Sequence, residues 1–144
     1  MNTLRLSTTL KFFGTIAAAA ISLAAYSTMA FGDEIKVTLS GDKEVPPVKT
    51  AATGSGTVMI NADMTVGGSV TTTAVAGTMA HIHHGAAGTN GPVIITLSKK
   101  GDTWTVPAGA KLTDAQYQAY KAGELYINVH SAENKGGEVR GQIK

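Results

Sequence analysis

The 144-residue chain contains no cysteine. This excludes disulfides, thiolate metal sites and cysteine nucleophiles, so any transition metal must be held by nitrogen and oxygen donors, with methionine sulfur the only soft helper. Clustered positive charge is also missing. Beyond residue 30 there are ten basic and ten acidic side chains, which leaves no electrostatic footprint for nucleic acid or an anionic membrane surface. No apolar run reaches the roughly 20 residues that a bilayer-spanning helix needs. The glycines of GAAGTNGP are not followed by a helix as in a phosphate-cradling loop, and they read as turn geometry. No serine or threonine sits in a recognisable nucleophile setting, so hydrolysis has little support. Neither an internal repeat nor a domain linker is visible.

What is present begins with a leader. Arg5 and Lys11 precede an apolar, alanine-rich stretch from Phe12 to Ala25, and small residues follow, ending in Thr28, Met29 and Ala30. This pattern predicts a signal peptide over residues 1–30 with cleavage before Phe31, and hence export to a periplasm or out of the cell with no stable membrane anchor. No cysteine is available for a lipoprotein anchor, and no arginine pair marks a twin-arginine signal. The net charge of +2 comes from Arg5 and Lys11. Residues 31–144 are predicted to form one domain.

That domain reads as all-β. Ile35, Val37 and Leu39 alternate with polar residues over 34–40, the period of a half-buried strand. Pro46 and Pro47 then place 41–50 in a loop, expected to cross between sheets. Segments 54–62 and 65–75 read as a hairpin. Segment 78–84 is another strand, 93–97 an apolar strand expected to be buried, and 102–106 a short one. One helix is predicted over 114–122, with Thr113 and Gln116 spaced as a capping box and Gly123 as the stop. Strands at 124–130 and 137–143, joined by SAENKGG, complete the chain. About eight short strands with one helical connection predict an antiparallel Greek-key β-sandwich or flattened barrel.

All four histidines lie in two motifs, AHIHH and YINVH. In a strand, alternate side chains share a face, so His81 and His83 project together while His84 points away unless a β-bulge re-aims it. Two imidazoles about 7 Å apart along one face can converge on an ion. His130 shares its face with Tyr126 and Asn128, and it becomes a third ligand if the two strands pair or face each other. Neutral imidazoles suit copper ahead of zinc. The expected metal ligands are therefore His81, His83 and His130, with His84 a surface or supporting residue. Glu138, Arg140 and Gln142 share a face of the last strand and can orient a histidine or attract an anion. The simpler reading of Glu138 and Arg140 is a surface ion pair. Nothing in the sequence places Glu44 beside the histidines.

Three segments, SGDKEVPPVKT, AHIHHGAAGTNGPVIITL and AGELYINVHSAENKGGEVRGQI, closely resemble the CHRD (chordin-type) domain, in the family's order and over nearly all of residues 31–144. The resemblance implies that fold and names no reaction. A weaker, local likeness is to copper/zinc superoxide dismutase, a Greek-key barrel with an HxH strand and a late-strand histidine among its copper ligands. It implies that His81, His83 and His130 take those roles in a copper-dependent oxidoreductase, with Arg140 guiding an anionic substrate. The disulfide cysteines are absent, and no histidine remains for a separate zinc site. This leaves only a copper-only or mononuclear centre. The competing reading is a metal-free adhesion or interaction module, whose His and Tyr side chains edge a surface for a protein partner. Stoichiometric metal binding separates the two.

Overall fold

A computed structural model describes residues 32–144, and the expected signal peptide lies outside the described residues. Nine strands and one α-helix follow in chain order: β1 (Asp33–Ser40), β2 (Thr53–Ile60), β3 (Val66–Thr73), β4 (Gly77–His84), β5 (Val93–Thr96), β6 (Ser98–Lys100), β7 (Thr103–Thr105), α1 (Asp114–Lys121), β8 (Leu125–Ser131) and β9 (Val139–Ile143). All named strand pairs are antiparallel, in the order β5-β4-β8-β9-β1-β2-β3-β7-β6. The two ends of that order, β5 and β6, are consecutive in sequence and separated only by Leu97. The Leu97 amide donates to the Ala80 carbonyl at 2.9 Å, so the sheet curls back on itself into a nearly closed barrel. Such closure leaves few unpaired strand edges. β3 and β4 are consecutive in the chain but do not pair, and neither do β7 and β8. These crossing connections are the Greek-key element of the fold.

Alternation decides which side chains enter the barrel. Ile35, Val37 and Leu39 of β1, Val58 and Ile60 of β2, Ala80 and Ile82 of β4, and Leu125, Ile127 and Val129 of β8 are all buried in one core, together with Trp104. Each strand therefore has one apolar set inward, the period-two pattern of a half-buried sheet. The Trp104 indole N–H is not left unpaired, since it donates to Thr72 Oγ1 at 3.3 Å. Gly77 makes room for this ring, because a β-carbon there would stand 2.5 Å from the indole. The expected capping box at α1 is formed. Thr113 Oγ1 accepts from the Gln116 amide and Gln116 Oε1 accepts from the Thr113 amide, and the buried Ala119 with Tyr117 and Tyr120 packs on the core.

Three local expectations are corrected. The loop after β1 does not cross between sheets, because β1 and β2 are direct neighbours over their full length, from Asp33↔Ile60 to Ser40↔Thr53. The apolar segment 93–97 is not a buried strand: Val93 is 49% exposed and Ile94 and Ile95 are only half-buried, with Leu97 alone well inside. The reason is its position, since β5 pairs only with β4 before the chain passes to β6 on the other side of the closure. The last strand starts at Val139, not residue 137, because Gly137 adopts φ of +133° and ends the preceding turn.

Candidate metal centre

The strand that carries AHIHH and the strand that carries YINVH are hydrogen-bonded neighbours. In the β4–β8 register, Met79 faces His130, His81 faces Asn128 and His83 faces Tyr126. The inward residues of both strands are apolar, so all of these others lie on the outer face of the barrel. One imidazole nitrogen from each of His81, His83 and His130 falls within 4.8 Å of the others. The group can hold a metal ion. His81 Nδ1 and His130 Nε2 are 3.0 Å apart, and the His81 ring meets the His83 ring edge-on at a centroid distance of 5.5 Å.

The backbone around the cluster sets the tautomers. His83 Nδ1 lies 2.9 Å from the Gly91 carbonyl, and His130 Nδ1 lies 2.8 Å from the Lys135 carbonyl. A carbonyl can only accept, so both Nδ1 atoms carry the proton and both Nε2 atoms are acceptors, that of His130 already taking a hydrogen bond from His81 Nδ1. This is the orientation in which a backbone carbonyl fixes a metal-ligating imidazole. His83 Nε2 is buried and has no hydrogen-bond partner. Such an orphaned acceptor costs about 1–3 kcal/mol when nothing fills its need, and a metal ion beside the other two imidazoles would fill it. Burial, followed by the nearby His130 and His83, lowers the pKa of His81; burial also leads the lowering at His83, against the opposing Gly91 hydrogen bond. Both rings are thus held neutral, the form that donates a lone pair to a metal.

A layer of polar groups supports His83. Its ring stacks on Tyr126, with centroids 4.7 Å apart and planes 2° from parallel. The Arg140 guanidinium covers Tyr126 at 3.4 Å from the ring centroid. Arg140 is only 1% exposed. It donates to the Ala86 carbonyl at 3.0 Å and to Asn90 Oδ1 at 3.4 Å, while the Gly91 amide donates to the Tyr126 hydroxyl at 3.2 Å. These contacts bind the 85–92 loop, which supplies the carbonyl for His83, to the outer face of β8 and β9. Glu44 reaches the same layer from the proline-containing loop and is 4% exposed. Burial pushes its carboxyl up to about 7 against the opposing pull of Arg140 and Asn128. Glu44 Oε1 and Asn128 Oδ1 are both buried without partners. Gly137 lets them pack closely, since a β-carbon at that position would collide with Glu44 Oε1 and Asn128 Nδ2.

His84 stands outside the cluster. Its Nε2 lies 3.7 Å from Glu124 Oε2, with both side chains well exposed. The β4–β5 register does shift between Ile82 and His83, but His84 is not among the three clustered imidazoles. The surface ion pair expected of Glu138 and Arg140 is also absent among the described residues. Glu138 instead accepts from Thr50 Oγ1 at 2.8 Å, and Arg140 holds the 85–92 loop, presenting no exposed guanidinium to a substrate anion. Sequence reasoning passed over Tyr126 and Asn128 as chemistry. Their shared face with His130 was the available signal, whereas the Gly91 and Lys135 carbonyls leave no side-chain signature.

The CHRD domain model matches residues 35–143. The chain belongs to the CHRD domain family. That match spans every strand except the first two residues of β1, and it includes the whole histidine cluster. Comparison with curated proteins gave no match, and comparison with solved structures gave none.

Proposed function

We propose that this CHRD domain is an exported copper-binding protein, in which His81, His83 and His130 hold a single ion and serve a redox-protective role. The observation that carries the reading is that His81, His83 and His130 bring one imidazole nitrogen each within 4.8 Å of one another, with His83 Nε2 buried and without a hydrogen-bond partner. Three imidazoles without a carboxylate or thiolate suit copper, which such nitrogen sites generally bind more tightly than zinc. Copper also supplies one-electron chemistry, which zinc does not. The leader over residues 1–30 supports export, and no described helix is long and apolar enough to cross a membrane.

The chain's own residues perform the holding and orienting. Gly91 and Lys135 fix the ring planes of His83 and His130 through their Nδ1 protons. Tyr126, clamped by Arg140, closes one side of His83, and His81 is the half-buried member of the cluster. His81 Nδ1 donates its proton to His130 Nε2, so an ion held by His130 Nε2 would replace that hydrogen bond.

The test is calorimetric titration of the purified protein with copper(II) and zinc, beside the His81→Ala/His83→Ala double variant. The reading expects one-to-one binding, tighter for copper, and at least about a hundredfold loss in the variant. Superoxide removal by the loaded protein well above free copper, lost in His130→Ala, would extend the role from binding to catalysis. Equal binding by wild type and double variant would discard the histidine site.

A further inference from the structure

A fourth side chain shares the face on which the three histidines meet. Met79 is the cross-strand partner of His130 and lies two residues before His81 on β4, with the buried Ala80 between them pointing inward. Directly opposed residues of an antiparallel pair hold their β-carbons about 4.5–5.5 Å apart, well within the reach of an unbranched thioether. Met79 is 49% exposed. A methionine side chain gains about 1.5–3 kcal/mol from full burial, so leaving one in solvent beside three imidazoles forgoes that gain at the one place where its sulfur has metal chemistry to do. The pair Met79↔His130 continues the regular β4–β8 register that runs from His84↔Leu125, and the register shifts only beyond it, at Gly77.

Resting on the copper reading above, we propose that Met79 is a fourth, thioether ligand that turns the three-histidine site toward copper(I). Imidazole accepts copper in either oxidation state and also zinc, whereas a thioether is soft and favours copper(I). The site would then retain copper in its reduced form. Met59 is a natural control: it is 44% exposed, but it lies on β2, a strand that supplies none of the three histidines.

The experiment measures copper(I) affinity by competition with a chromogenic chelator under reducing conditions, and zinc affinity by calorimetry, for wild type, Met79→Leu and Met59→Leu. Leucine at an exposed strand position leaves the fold intact, which the circular dichroism of each variant checks. Met79→Leu is expected to lose at least about tenfold in copper(I) affinity and to keep its zinc affinity within about twofold, while Met59→Leu changes neither. If copper(II) affinity is also unchanged, the copper potential falls by about 59 mV for each tenfold loss. Unchanged copper(I) affinity in Met79→Leu, or an equal loss for copper(I) and zinc, would overturn the thioether assignment while leaving the histidine site standing. Wild type that binds neither metal would instead remove the histidine site, and the assignment with it.

Discussion

The two faces of β4 and β8 are built from alternate residues of the same two strands, yet they follow opposite rules. Inward, Ala80, Ile82, Ile127 and Val129 form dry core with nothing polar to satisfy. Outward, His83, Tyr126, Asn128 and His130 are nearly as buried, at 7%, 2%, 2% and 7% exposure. All seven residues of β8 are buried. The outer face is covered by the loops that carry Glu44, Gly91 and Lys135, not by a second sheet. Among the described residues, the buried side-chain atoms without a partner, Glu44 Oε1, His83 Nε2 and Asn128 Oδ1, belong to this face. A face that existed only for stability would be expected to replace such groups with apolar ones of similar volume, because half-satisfied polar clusters are worse than apolar packing. The contrast separates the packing that holds the barrel together from the polar layer around the histidines.

The largest expected effect lies on the inner face. Trp104→Ala should destabilise the domain by about 3–5 kcal/mol, read from urea unfolding, because it leaves a cavity and strips Thr72 of its indole donor. A cost below about 1 kcal/mol would mean that the core collapses around the gap. On the outer face, copper at a hundredfold excess over its dissociation constant should raise wild-type stability by about 2.7 kcal/mol and leave the His81→Ala/His83→Ala variant unmoved. Equal stabilisation of both proteins would place the metal elsewhere.

Glu44 sharpens the comparison through pH. Its folded pKa, raised to about 7 from 4.5, means that the folded state binds the proton more tightly than the unfolded one. The associated stability is fully present below pH 4.5 and is lost as pH rises through 7. Glu44→Gln should therefore nearly match wild type near pH 4.5 and exceed it by about 3 kcal/mol at pH 8. A difference independent of pH would show that the carboxyl is solvated. The smallest effect is expected at His84, whose contact with Glu124 is exposed. His84→Ala should change stability by less than about 0.5 kcal/mol and leave metal affinity as it was. A tenfold loss of affinity would draw His84 into the site.

The inner face was legible because local rules govern it. Period-two alternation in Ile35–Leu39 and the Thr113–Gln116 spacing are properties of adjacent residues, and each led to the element found. The His81 and His83 pairing was legible for the same reason. His130 needed a further condition, the pairing of β4 with β8, and strand order is not written in any short segment. Glu44, 84 residues from Asn128 in the chain, reaches it only through a loop contact that no local pattern encodes. Val93–Ile95 misled because an apolar run reports what a strand is able to bury, not where barrel closure leaves it. Arg140 misled because a charged residue on a late strand reads as surface until loops cover it.

The most direct test of the central claim is electron paramagnetic resonance of the copper(II)-loaded protein, counting the nitrogens coupled to the metal in wild type and in His130→Ala. The account expects three imidazole nitrogens, from His81, His83 and His130, and two in the variant. A spectrum dominated by oxygen ligands, or a nitrogen count that His130→Ala does not change, would contradict it.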